Sequence, residues 1–128
     1  MHIMKIPKGH QPLMPYLILK NAHSFIDFTK HVFNAEEVFK SYRDNDNQII
    51  MHAEVRINGC NIMFADVTEF CEVANANLFV YVENADETFQ KAIENGATVI
   101  NELADQDYGR SCGVQDPFGN VWWITSMK

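Results

Sequence analysis

Two side chains that could perform acid/base chemistry, those of His52 and Glu54, stand two positions apart in a strand-like stretch. Because side chains alternate along a β-strand, this spacing places both on one face, together with Ile50 and Arg56. The opposite face is predicted to be apolar and to meet a helix, and it consists of Met51, Ala53, Val55 and Ile57. An imidazole that titrates near neutrality suits a general acid or base, and the pair could also bind a metal ion. The alternative is a solvated edge at which Glu54 contacts Arg56 or His52.

Arg110 is the third candidate for chemistry, and it follows Tyr108-Gly109. A forked guanidinium there could hold a carboxylate or phosphate group of a ligand. Equally, Arg110 could lie at a sheet edge and pair with Asp105 or Asp107. The other histidines, His2, His10, His23 and His31, lie near the N-terminus or in or beside a predicted helix, and no function is predicted for them.

The elements that must position these residues occur twice along the chain. Tyr16–Ala22 resembles Phe79–Ala85, each a short apolar strand that runs into Asn-Ala. Amphipathic spacing predicts a helix at about Ala22–Phe33 and another at about Ala85–Asn95, the second with Asn84 as N-cap and Gly96 as a left-handed C-cap. The repetition indicates duplication of one structural unit.

Three strands are predicted after each helix. In the first half they span about Glu37–Tyr42, Ile49–Ile57 and Cys60–Ala65, and Asn58-Gly59 predicts a tight hairpin. In the second half they span about Thr98–Asn101, Arg110–Gln115 and Asn120–Thr125, with a turn at Asp116–Gly119. The sequence therefore predicts an α+β fold of two βαβββ modules, at about 12–66 and 77–126, within a single domain of residues 1–128.

These motifs, in this order, resemble the vicinal oxygen chelate superfamily, which includes glyoxalases, bleomycin-resistance proteins and dioxygenases. The likeness covers nearly the whole chain and depends on the order and spacing of several segments, each weak by itself, namely Phe25–Phe28, Phe33–Glu37, Met51–Gly59 and Asp116–Trp123. The segment Asp107–Arg110 is similar to the PhnB-like branch. The resemblance implies an eight-stranded cup with helices outside, a ligand cavity on its concave face and a homodimer.

Metal-dependent members of this superfamily carry four His, Glu or Gln ligands in the cup, and the resemblance places those positions at Met14, Met63, Asn77 and Trp123. Two thioethers, one amide and an indole do not suit a hard or borderline divalent cation. We therefore expect no metal centre of this type and no cofactor.

The residues that remain predict a binding pocket for a small apolar or aromatic molecule. It would be lined by Met14, Tyr16, Met63, Asn77, Phe79, Tyr108, Arg110 and Trp123. The first prediction for the function is therefore a protein that binds a small molecule without catalysing a reaction. The alternatives are a lyase, isomerase or dioxygenase-type enzyme that uses an unusual metal site or metal-free chemistry by His52, Glu54 and Arg110, and a dimeric interaction module with a closed cavity.

Composition limits the choice of partner and compartment. A net charge of -7 in 128 residues argues against nucleic acid and anionic membranes, which reward clustered Lys and Arg. The sequence has no apolar run of the length that a signal peptide or a membrane span would need. The cysteines Cys60, Cys71 and Cys112 lack CxxC spacing and favour reduced thiols. A cytoplasmic protein is predicted.

Overall fold

A computed structural model describes residues 4–44 and 46–127. The first module contains β1 (Tyr16–Leu19), α1 (Ala22–Phe33), β2 (Glu36–Arg43), β3 (Asp46–Ile57) and β4 (Cys60–Asp66). The second contains β5 (Asn77–Tyr81), α2 (Ala85–Glu94), β6 (Thr98–Gln106), β7 (Gly109–Gln115) and β8 (Val121–Ser126). The predicted α+β fold of two βαβββ modules is confirmed. Strand β6 is longer than the sequence predicted, and β1 begins only at Tyr16, so that Met14 precedes it.

Each module forms one four-stranded sheet with the same topology. The strand orders are β1-β4-β3-β2 and β5-β8-β7-β6, and in each sheet only the first pair is parallel. The helix follows the first strand and covers one side of its own sheet. In both modules the other side of the sheet, termed here the open face, is therefore free of helix.

Local signals in the sequence fix the ends of the helices. The side chain of Asn84 accepts a hydrogen bond from the backbone N–H of Glu87 at 3.1 Å, as an N-cap should. Gly96, directly after the end of α2, has a φ of 99°, which is the left-handed conformation predicted for it. Neither helix of the described residues is long and apolar enough to cross a membrane.

The two turns also form as predicted. Asn58 and Gly59 both have positive φ, at 48° and 85°, as a type I′ hairpin between β3 and β4 requires. Between β7 and β8 the turn is organised by Asp116, which is 4% exposed. Its carboxylate accepts hydrogen bonds from the backbones of Phe118 and Asn120, the Asn120 amide and the Trp122 indole.

The core lies between the helix-covered sides of the two sheets. Phe25 of α1 contacts Phe64 of its own sheet at a ring distance of 4.9 Å, and it also stacks on Trp122 of the second sheet. Phe33 lies 4.5 Å from Trp122, and α1 contacts α2 directly. Because both helix-covered sides share this core, the two open faces are turned away from it.

A bulge changes the predicted faces of β3. The pairing with β2 shifts register between Ser41 and Tyr42, so that His52 and Ile50 pair with consecutive residues. Ala53, Val55 and Ile57 are buried as predicted, but Ile50 is also buried and Met51 is 46% exposed. The prediction that Ile50 shares the face of His52 and that Met51 faces the helix is therefore wrong, because the extra residue inverts the alternation before His52.

Candidate functional site

The open faces of the two sheets differ in chemistry. Across the first open face the cross-strand neighbours are Tyr16, Met63, Glu54 and Phe39. The corresponding row across the second open face is Phe79, Trp123, Gly113 and Asn101. The first row contains a buried carboxylate, whereas the second is centred on an indole ring. Both rows contain residues that the sequence placed in the ligand pocket.

Glu54 is the centre of a hydrogen-bonded polar cluster on the first open face. Its Oε1 accepts a hydrogen bond from His52 Nε2 at 3.2 Å, and its Oε2 accepts one from His10 Nε2 at 2.7 Å. The hydroxyl oxygen of Tyr16 lies 3.4 Å from His52 Nδ1. Because an ionised carboxylate can only accept, both imidazoles are protonated at Nε2 in this arrangement. A chain of hydrogen bonds therefore runs from Tyr16 through His52 and Glu54 to His10.

The environment of Glu54 favours its charged form. Burial alone would raise its pKa, but hydrogen bonds from His52 and His10 outweigh the burial and hold the pKa below its ordinary value. The residue is only 6% exposed, so the expected solvated edge is wrong, whereas the contact of Glu54 with His52 that was part of the same alternative is present. Arg56 does not contact it and instead donates to Glu36 at 2.7 Å.

His10 is a site residue that sequence reasoning missed. It lies 44 positions from Glu54, before β1, and it carried no motif or periodic pattern. The adjacent Gln11 is bound to the same sheet, donating to the backbone carbonyl of Asn61 at 2.8 Å and accepting from its N–H at 3.2 Å. The chain before β1 therefore covers one end of the first open face.

Trp123 forms an aromatic platform on the second open face. A Cβ added to Gly113 would lie 2.4 Å from the indole, which shows that the ring rests directly on the glycine backbone. The indole N–H donates to the side-chain oxygen of Asn77 at 3.3 Å. Phe79, beside it, is 51% exposed and contacts the ring of Tyr108 at 6.3 Å. The structure therefore brings four predicted pocket residues together, and the rings of two of them, Phe79 and Tyr108, are about half exposed.

Arg110 does not join them. Residues alternate along β7, and Arg110 shares a side with Cys112, which is in the core beneath α2. Its guanidinium donates twice to the Asp86 carboxylate on α2, at 3.0 and 3.2 Å, and reaches Asp105 at 3.7 Å. The alternation of β7 turns the Arg110 side chain toward the helix and away from the other predicted pocket residues, and the pairing with Asp105 that the sequence offered as the alternative is present.

The three cysteines are free. Cys112 is buried, and this burial raises the pKa of its thiol to about 11, so it stays protonated at neutral pH. Cys60 and Cys71 are exposed.

A cavity of about 510 Å³ lies between the modules, and Phe79 and Tyr81 of the second open face line part of it. Its walls are mainly apolar and include Leu13, Pro15, Ile57, Ile62, Leu78, Val80 and Trp122. Of the pocket residues predicted from the sequence, only Phe79 reaches this cavity. Its volume is within the range of small-molecule sites, so it competes with the open faces as a location for a ligand.

Comparison with known proteins identifies the family. The profile of the Glyoxalase/Bleomycin resistance protein/Dioxygenase superfamily matches residues 13–124. The chain belongs to this superfamily. An uncharacterized protein of Mycobacterium bovis, Mb0911c, is 35% identical over 122 residues, which cover 86% of this chain and 79% of that protein.

Solved structures from the same superfamily share the fold. The PhnB protein of Bacillus cereus superposes with a TM-score of 0.72 at 21% identity, covering 91% of this chain and 99% of that one. The fosfomycin resistance protein FosX of Listeria monocytogenes gives a TM-score of 0.73 at 16% identity, covering 92% and 94%. The predicted superfamily membership is confirmed, and PhnB is among these neighbours.

The resemblance described above places the superfamily's metal-ligand positions at Met14, Met63, Asn77 and Trp123. Asn77 is the only one with a good oxygen donor, and that oxygen already accepts the indole N–H of Trp123. Across residues 4–44 and 46–127, with the side chains of residues 46 and 47 left aside, no group of three or more His, Cys, Asp or Glu has a geometry that could hold a metal ion. The donors at these positions do not fit a divalent cation.

Proposed function

We propose that this protein binds a small planar aromatic molecule on the second open face, without the metal centre of its superfamily. The observation that carries the proposal is the Trp123 indole, held against Gly113 by close contact and by a hydrogen bond to Asn77. A ring fixed in this way loses little freedom when a ligand stacks on it, which favours binding.

The surroundings of Trp123 support an apolar ligand with one polar group. Phe79, Tyr81 and Tyr108 are each about half exposed and contact one another through Phe79. The exposed amide of Asn77 supplies a hydrogen-bonding group at the edge of this surface. Apolar walls with a few polar groups are the usual composition of small-molecule sites.

We further propose that a second copy of the chain completes the site. Within one chain the open faces point away from the shared core, so neither covers the other. The first open face exposes Tyr16 and Phe39 at 49% each, and the second exposes Phe79 and Tyr81. Contiguous exposed aromatic surface favours association, and two copies could bring a first open face onto a second one.

The experiment is calorimetric titration of planar aromatic compounds, with 2-naphthamide as the reference compound. Trp123→Leu is expected to weaken its binding about fivefold or more, because stacking on an aromatic ring contributes roughly 1 kcal/mol. Leu13→Asp places a charge at the inter-module cavity and is the control, since Leu13 is 85% exposed and outside the second open face. We expect this variant to bind as the wild type does. Loss of binding only in Leu13→Asp would locate the ligand in the cavity, and no binding of any planar aromatic compound would refute the proposal.

A second function, proton transfer on a bound carbonyl compound, is supported by the chain of hydrogen bonds through Glu54. A carboxylate that orients an imidazole beside a hydroxyl is an arrangement used for general acid/base catalysis. The distance of 3.4 Å between Tyr16 and His52 is long, as is common before substrate binds.

This alternative is tested by deuterium exchange at the methyl group of 2-acetylnaphthalene in D₂O, followed by NMR. Acceleration by the wild type that is lost in His52→Gln would support catalysis, and equal exchange rates with and without protein would exclude it for this class of compound.

A further inference from the structure

We propose that residues 4–11, termed here the N-terminal segment, cover a latent subsite for a carboxylate, formed by Arg56 and Asn61 at the end of the first open face. The inference rests on the proposed binding function and on the proposed second copy, since the subsite on the first open face of one copy would hold the acidic group of an aromatic ligand bound on the second open face of the other.

The amide of Asn61 is the first observation. Asn61 is 0% exposed, and its Oδ1 accepts a hydrogen bond from Arg56 Nε at 2.9 Å. Its Nδ2 is buried and has no hydrogen-bond partner in the described part of the chain. Buried amide groups are nearly always paired, so an unpaired one beside a binding face indicates a partner that binds when the N-terminal segment moves away.

Arg56 supplies a positive charge to the same place. Arg56 and Asn61 are cross-strand neighbours in β3 and β4, so their side chains project from the same face. Nη1 of the guanidinium donates to the exposed Glu36, while Nη2 lies beneath Gly9. A carboxylate that replaced the N-terminal segment has two acceptor oxygens, one for Nη2 and one for the Asn61 amide, and a guanidinium suits such a group by charge and by its planar array of donors.

The contacts of the N-terminal segment are few and specific. His10 is bound to Glu54, and Gln11 is bound to the backbone of Asn61. Gly9 has a φ of 88°, and a Cβ there would lie 2.9 Å from Nη2 of Arg56. The positive φ disfavours any other residue at this position, and an added Cβ would also have to displace the end of the Arg56 side chain. Residues 4–9 are otherwise exposed, so the segment can leave without opening the core.

The test compares 2-naphthoate with 2-naphthamide, which have the same ring system and differ in charge. His10→Ala removes the hydrogen bond to Glu54, and Gly9→Ala displaces the segment by a different cause, so that a folding defect in one variant leaves the other available. In both variants the affinity for naphthoate relative to naphthamide is expected to rise about tenfold, the equivalent of one charge-assisted hydrogen bond. Adding Arg56→Gln should abolish this rise.

An unchanged ratio in both variants, or a rise that persists with Arg56→Gln, would overturn the proposal. The proposed function is judged separately, from the binding of naphthamide to the wild type and its dependence on Trp123. Naphthoate binding that depends on Arg56, in the absence of naphthamide binding, would retain the subsite and reject the aromatic platform.

Discussion

Gly113→Ala is the most direct perturbation of the proposed platform, because it displaces the Trp123 indole and leaves residue 123 itself unchanged. The added Cβ would lie 2.4 Å from Cζ3 and 2.7 Å from Cε3 of the indole. Ordinary contacts between carbon atoms begin at about 3.5 Å, so the indole ring must move by roughly 1 Å. Gly113 is in a strand and is not one of the residues with positive φ, so the backbone itself tolerates alanine.

The displaced indole loses its contact with the sheet and its hydrogen bond to Asn77. That hydrogen bond contributes about 0.5–1.5 kcal/mol, and because Trp123 is half-buried it can swing outward rather than strain the core. We expect the affinity for 2-naphthamide, measured by calorimetry, to fall about fivefold, and the free energy of unfolding to fall by about 1 kcal/mol. The same substitution in a Trp123→Leu background should have no further effect on affinity. Equal affinities of the wild type and Gly113→Ala for 2-naphthamide would refute the platform. So would a fivefold loss of affinity when Gly113→Ala is added to Trp123→Leu.

Three further predictions test other parts of the structure. Folding lowers the pKa of Glu54, so its ionised form stabilises the protein above the unfolded-state pKa, and this contribution is lost as the pH falls through the folded-state pKa. Chemical denaturation between about pH 6 and pH 3 should therefore show a smaller loss of stability in Glu54→Gln than in the wild type. Asp116→Ala leaves four hydrogen-bond donors of one buried turn unpaired and should lower the free energy of unfolding by about 3 kcal/mol, whereas a loss below about 1 kcal/mol would contradict the role of this carboxylate. Arg110→Ala should leave naphthamide affinity unchanged in calorimetry, because its partner is the exposed Asp86 on the helix side, and a large loss would return Arg110 to the binding site.

The fold could be predicted because its signals are local. The Asn58-Gly59 pair requires two positive φ angles, and the amphipathic spacing of α1 and α2 needs only neighbouring residues to be recognised. The side on which Arg110 projects was also available, because Cys112 and Val114 mark the buried side of β7 and the period of two extends it to Arg110. The bulge that exchanges the faces of Ile50 and Met51 could not be predicted, since nothing in the sequence of β3 marks the extra residue.

The polar cluster needed tertiary information. Glu54 was a candidate from its spacing to His52, but its lowered pKa depends on hydrogen bonds from both His52 and His10, and His10 reaches it only after the chain before β1 folds over the sheet. Likewise, the unpaired amide of Asn61 is a property of the packed state. Sequence reasoning identifies residue types that could form a site, whereas these contacts decide which of them do.

The placement of the core also argues for a second subunit. Phe25 and Phe33 extend from α1 to Trp122 of the other module, so the apolar sides of both sheets are already used within one chain. The aromatic residues that remain on the open faces are each about half exposed, and they are Tyr16, Phe39, Phe79, Tyr81 and Tyr108. Soluble monomers rarely leave such contiguous apolar patches uncovered. A dimer that dissociates on dilution, in sedimentation measurements, should therefore be weakened by Phe39→Glu and by Tyr81→Glu alike, because the two substitutions lie on faces that would meet. A monomer at all concentrations would mean that each open face is covered by ligand or solvent alone.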